Sequence, residues 1–193
     1  GAMIVAHDNV RKRLSENEKT ANAGLPVITF SDDATFYMNG NDIFITHVHN
    51  AHTDGDALVY FIQSNVLHTG DTFFHGSHKF PYIDINSGGS LLGDIEAAKK
   101  GLLIINDSTK IIPGHGPVAT KAEYQKYHDM LVGIYKNVTQ AIKEGKTEEE
   151  VVTMESLTSD YYPDKEAENS FITGKKIRRA SYKSIIAEKE MSH

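Results

Sequence analysis

The 193-residue sequence predicts an α+β fold, a mixed sheet with helices covering one face. Two observations carry this. Short apolar segments rich in β-branched and aromatic residues, punctuated by turn residues, fill residues 4–119. Apolar residues at steps of three and four dominate 120–193. The composition, 39% hydrophobic and 24% charged, is that of one globular domain with a core of its own.

The elements follow in order. "GAM" (1–3) reads as a tag-cleavage remnant and is set aside, so a single domain is expected over 4–193. Ile4 to Ala6 reads as a short strand, and a helix capped by Asp8 follows it. Strands are expected at Val27–Phe30, Ala34–Met38, Ile43–His49, Ala57–Ile62 and Val66–Thr69. The turn "NGND" separates the second from the third, and "QSN" precedes the last. From Asp71 to Gly89, Gly, Pro, Ser and Asn signal a long loop. A helix is expected from Ser90 to about Leu103, and a strand over Lys110–Ile112. "TKAE" at Thr120 is a capping box that opens a helix ended by Gly145. Another helix starts at "TEEE", and the last runs over about 173–190. In that last helix Lys175, Lys176, Arg178 and Arg179 read as a solvated face.

Charge and composition exclude several function classes. At −6 the chain offers no electrostatic case for nucleic acid. No apolar run approaches the roughly 20 residues of a membrane-spanning helix, so no membrane partner is expected. Cysteine is absent, which removes disulfides, thiolate sites and cysteine nucleophiles and leaves the compartment open. A metal would have to be held by His, Asp or Glu. Six of the ten histidines fall between His47 and His78.

Hydrolytic metal sites gather imidazoles and carboxylates at strand ends, beside glycines that permit tight turns. Three segments fit: "NAHTDGD" with His52, "LHTGDTFF" with Asp71 and "IIPGHGP" with His115. Each is weak alone, but together and in this order they are specific. With "IDINSGGS", they make the chain resemble the metallo-β-lactamase superfamily, in its cyclase-like hydrolase branch, from Ile4 to about Glu190.

The resemblance implies an αββα sandwich with metals at one edge, of which this chain would be the C-terminal portion. It implies His52 as third histidine of a first zinc site, Asp71 as bridging carboxylate and His115 as terminal histidine of a second site. In a complete member, two zinc ions would polarise a carbonyl and acidify a water for attack on a lactam, lactone, ester or thioester. The hallmark His-x-His-x-Asp-His loop is missing, so the chain is expected to be N-terminally incomplete and weakly active or inactive, binding at most one zinc. "THVHNAH" imitates the loop, but Ala51 stands where it needs an aspartate. His47 and His49 are therefore expected to support the sheet or the ligands, and Asp54 and Asp56 to shape the loop or orient His52 by hydrogen bonds. His75, His78, Tyr82 and Asp84 are candidates to line the substrate loop.

Three readings follow: a portion of a zinc hydrolase acting on a small molecule, a non-catalytic module derived from that fold, or a half-site completed by another chain. In the first, an apolar sheet face is left bare and homo-oligomerisation through it is expected.

Overall fold

The computed structural model describes residues 2–77 and 80–191, so His78 and His193 lie outside the described residues. Strand β1 (Val5–His7) leads into helix α1 (Asp8–Glu16) and pairs in parallel with β2 (Ile28–Phe30). The main sheet has five strands in the order β3 (Asp33–Met38), β4 (Asn41–His47), β5 (Ala57–Phe61), β6 (Val66–Phe74) and β7 (Lys110–His115). β3 to β6 form an antiparallel meander, and β7 joins β6 in parallel after the crossover helix α2 (Leu91–Ile104). That is the connection a parallel pair requires. Helices α3 (Lys121–Lys143), α4 (Glu148–Thr153), α5 (Asp164–Ala167) and α6 (Gly174–Met191) complete the chain. It is a mixed sheet with covering helices, as expected. No helix among the described residues is long and apolar enough to cross a membrane.

Local chemistry sets the boundaries. Asn39 and Gly40 adopt positive φ, 53° and 74°, which suits the two-residue turn between β3 and β4. Thr120 with Glu123 and Thr147 with Glu150 form complete capping boxes on α3 and α4. The Ser90 hydroxyl accepts from the Gly93 N–H and starts α2.

Several expectations need correction. Helix α1 is capped by the His7 ring, which accepts from the Asn9 N–H, and Asp8 is already helical. Strand β4 stops at His47, so His49 lies beyond it and is exposed. Strand β6 does not end at Thr69. It runs on to Phe74 through a register shift around Gly70 (φ 57°), so Asp71 stands on a strand rather than in a loop. Strand β7 likewise continues to His115. Arg178 is fully buried, not solvated. It makes a two-pronged pair with Asp164 (2.9 and 2.8 Å) and donates to the Thr158 hydroxyl and Val152 carbonyl. Its neighbour Arg179 does lie outside, paired with Glu148.

The core lies between the sheet and the helices. Across the sheet, Thr35, Phe44, Tyr60, Leu67 and Ile111 form a row pointing to α2, α3 and α6, and Leu58, Leu67 and Ile111 are 0% exposed. The alternate residues face the other way. Ala34, Ile45, Val59, His68 and Ile112 form one row, and Phe36, Ile43, Phe61, Val66 and Lys110 another. None of those ten is buried. This face has cover at one end, where His7 of β1 stacks on His47 of β4 with ring centres 3.7 Å apart.

Candidate metal centre

Three loops and strand ends meet at one edge of the sheet. His52 follows the tight turn after β4. Its loop is pressed against the start of α2, where a Cβ on Gly89 would lie 2.2 Å from the His52 carbonyl oxygen and one on Gly93 1.9 Å from that of Asn50. The glycines of "SGGSLLG" are what allow this approach. Asp71 stands just past the Gly70 irregularity. A Cβ on Gly114 would lie 2.1 Å from Asp71 Oδ1, so the glycine before His115 makes the room that the carboxylate occupies.

The three predicted ligands come together around that carboxylate. His52 Nε2 lies 3.7 Å from Asp71 Oδ2, and His115 Nε2 lies 3.5 Å from Asp71 Oδ1. Each imidazole addresses a different oxygen, with Asp71 in the middle. Among the described residues no group of three His, Asp or Glu side chains is placed to hold a single ion. Asp71 and His115 are 40% and 50% exposed, so the site opens to solvent.

The second nitrogen of His52 is fixed. Nδ1 lies 2.7 Å from the Tyr82 carbonyl oxygen, which can only accept, so Nδ1 carries a proton and Nε2 is the nitrogen turned toward Asp71. Metal-bound histidines are oriented by this kind of outer contact. The Asp84 N–H donates to the His52 carbonyl at 3.0 Å, so Tyr82 and Asp84 hold His52 through their backbones. The Asp84 carboxylate caps a short turn at Ser87. The Tyr82 ring lies 5.4 Å from that of His52 and packs on Phe171.

The aspartates of "HTDGD" shape the loop that carries His52. Asp54 forms a two-pronged pair with Arg13 (2.9 and 2.7 Å) and ties α1 to this loop. The Asp56 carboxylate accepts from the Thr53 N–H at 2.5 Å, and burial raises its pKa. Its backbone carbonyl accepts from His47 Nδ1 at 2.7 Å. His47 is buried, and desolvation lowers its pKa, so it packs as a neutral ring between His7 and the edge-on ring of His49. His68 Nδ1 accepts from the Gly70 N–H and supports the irregularity that presents Asp71. His75 Nδ1 donates to the Pro117 carbonyl at 3.1 Å, and its Nε2 lies 3.6 Å from Glu123.

Sequence reading missed three contributors: the Tyr82 carbonyl, the space at Gly114 and the Arg13 anchor. A glycine directly before a candidate ligand, in "PGHG", was the one signal available.

No protein-family model matches the sequence, and no curated protein matches it. Solved structures do. A metallo-β-lactamase from Pontibacter korlensis superposes with a TM-score of 0.58 at 21% identity, over 68% of this chain and 59% of that one. The DIM-1 metallo-β-lactamase gives 0.56 at 18% identity, over 67% and 57%. The stereoselective inverting sec-alkylsulfatase Pisa1 from Pseudomonas sp. gives 0.61 at 16% identity, over 85% of this chain and 26% of that one. The chain thus spans less than two thirds of the length of each of these three structures. These superpositions show that this chain has the metallo-β-lactamase fold.

Proposed function

We propose that this chain carries metal-holding residues of a zinc-dependent hydrolase of the metallo-β-lactamase superfamily, acting on a small molecule with a lactam, lactone, ester or thioester carbonyl. The observation that carries the reading is Asp71, set between the Nε2 atoms of His52 and His115 while the Tyr82 carbonyl holds the far side of His52. Two imidazoles and a carboxylate suit zinc by donor type.

Asp71 would supply the central oxygens, and His52 and His115 one nitrogen each. Zinc held there would supply Lewis acidity and an acidified water for attack on the carbonyl. The protein's own part is positional. The Tyr82 and Asp84 backbones lock His52, and Gly114 leaves Asp71 free to turn both oxygens outward. Because the two histidines address different oxygens, these residues would hold an ion through Asp71 and one imidazole more readily than through all three.

Zinc titration by calorimetry tests this. At most one weakly bound zinc per chain is expected, abolished by Asp71→Ala and weakened by His52→Ala or His115→Ala. His47→Ala and His49→Ala should change it little. The assignment fails if those two abolish binding while Asp71→Ala leaves it intact. Hydrolysis of β-lactams and simple esters by this chain should be poor, and robust zinc-dependent turnover would show that two histidines and Asp71 are not its whole donor set.

The same reading includes self-association. The ten-residue bare face carries charge at one corner, Lys110, and is otherwise apolar apart from His68. A second copy presents the same surface, and two sheets can stack face to face about 10 Å apart. Light-scattering chromatography should show dimers or larger species at micromolar concentration. A monomer that unfolds cooperatively would rule this out.

A further inference from the structure

A concavity adjoins the candidate centre and is not used by it. It is a cleft of about 430 Å³ between the end of β6, the first half of α3 and the segment 160–162. Phe74 lines it and also packs on the His115 ring at 4.6 Å, while the His75 N–H donates to the His115 carbonyl at 2.9 Å. The cleft and the candidate centre therefore share a wall.

The walls are aromatic. Phe74, Tyr127, Tyr161 and Tyr162 line the cleft with Met130 beside them. Their placement depends on glycine: a Cβ on Gly133 of α3 would lie 1.6 Å from the Tyr161 hydroxyl oxygen. Any side chain at 133 would push Tyr161 off the helix and reshape the cleft. On the opposite rim Gly76 has φ 73°, and a Cβ there would lie 2.8 Å from Pro117 Cδ.

The charge around these rings is one-sided. Glu123, Asp129 and Asp160 line the cleft against one ammonium, Lys126, and His75. Backbone donation from Thr120 holds the Glu123 carboxyl below its usual range, and hydrogen bonding from His128 does the same for Asp129. Both stay ionised near neutrality. Burial, with Asp160 and Asp129 nearby, pushes the Tyr161 phenol up, so its ring stays neutral. Ring faces attract cations, and carboxylates at the rim strengthen that attraction while repelling anions.

We propose that this aromatic cleft binds an amine or quaternary ammonium group, and so directs the hydrolase toward substrates with a cationic substituent remote from the scissile carbonyl. The second half rests on the hydrolase reading, whereas the first stands on the cleft alone.

Benzyltrimethylammonium titrated into the full chain at low ionic strength, followed by ligand-observed NMR, tests the cleft. Saturable binding is expected, with an affinity several-fold above that of the uncharged analogue carrying a tert-butyl group in place of trimethylammonium. Asp160→Asn and Tyr161→Ala should each weaken it by roughly three- to tenfold, and Gly133→Ala should weaken it while circular dichroism shows the fold retained. Asp71→Ala should leave it unchanged. Equal binding of the uncharged analogue, or absence of saturable binding, overturns the proposal.

A second arm separates the two readings. Zinc is titrated into the same chain and into Asp71→Ala beside the ammonium titration. Ammonium binding without any zinc binding that depends on Asp71 removes the hydrolase and keeps the cleft. Zinc binding lost on Asp71→Ala, without ammonium binding, keeps the hydrolase and removes the cleft.

Discussion

The two faces of the central sheet are built from the same strands, one residue out of step, and they meet different fates. Leu58, Leu67 and Ile111 point toward the helices and are 0% exposed. Val59, Val66 and Ile112, their chain neighbours, point the other way and none is buried. Both sets are aliphatic. A strand that alternates apolar with polar needs one cover, whereas "ALVYF" is apolar on both sides and needs two. The helices of this chain supply one cover, and β1 with α1 and β2 supply a corner of the other, at the His7–His47 stack. The candidate centre sits on the sheet edge between the two faces. Its candidate ligands therefore depend on the covered side for rigidity, through β6, β7 and the start of α2.

The largest break in this comparison should come from the covered side's buried charge. Arg178 is fully enclosed, and Arg178→Ala strands Asp164 and opens a hole between α4 and α6. A loss of about 3–5 kcal/mol is expected. Arg179→Ala, one residue on but exposed, should cost under about 0.5 kcal/mol. Urea unfolding of the two variants measures the contrast, and similar midpoints would mean that Arg178 is not the anchor its contacts describe.

Next come the two faces themselves. Leu67→Ala should destabilise by about 2–5 kcal/mol, as a cavity in packed surroundings does. Val59→Thr on the open face should cost no more than about 1 kcal/mol in dilute solution. If Val59→Thr is as damaging as Leu67→Ala, then the open face is packed against something in solution, and a concentration dependence of the midpoint would identify a second copy. The double variant Ile45→Lys with Phe61→Glu should then shift light scattering to the monomer.

How much of this was legible follows from where each signal lives. The strands, the crossover helix and the capping boxes announce themselves within a few residues, in "NGND", "TKAE" and "TEEE". The loop segments carrying His52, Asp71 and His115 were legible from their glycines. Which sheet face is covered was not, because both are apolar. Asp71 was expected in a loop because Gly, Pro, Ser and Asn crowd residues 71–89, yet Gly70 introduces a register shift and the strand continues. The group that orients His52 is a backbone carbonyl 30 residues away, which leaves no mark on the side-chain pattern. Arg178 looked like one more exposed basic residue because its partner, Asp164, belongs to a different helix.

The last expected effect concerns Asp94, the buried carboxyl beneath the covered side. It is 0% exposed; Oδ2 accepts from the Tyr127 hydroxyl at 3.2 Å and Oδ1 has no hydrogen-bond partner. Burial first, then the Asp56 charge, raises its pKa well above the usual carboxylate value, so the folded protein holds this proton where the unfolded chain releases it. The sign follows from that. Below the unfolded carboxyl pKa of about 3.9 both states are protonated and the group costs nothing. As pH rises past that value the unfolded chain ionises while Asp94 stays neutral, so stability falls until the folded pKa is reached. Asp94→Asn keeps a carbonyl for Tyr127 and removes the proton linkage. Its melting temperature relative to the parent's should rise from pH 4 to pH 7–8, because only the parent loses stability as its unfolded chain ionises. Paired thermal melts across that range measure the difference. A constant offset at every pH, or a variant less stable at pH 8 than at pH 4 relative to the parent, would show that Asp94 is ionised in the fold and that the covered face holds a charge it has no partner for.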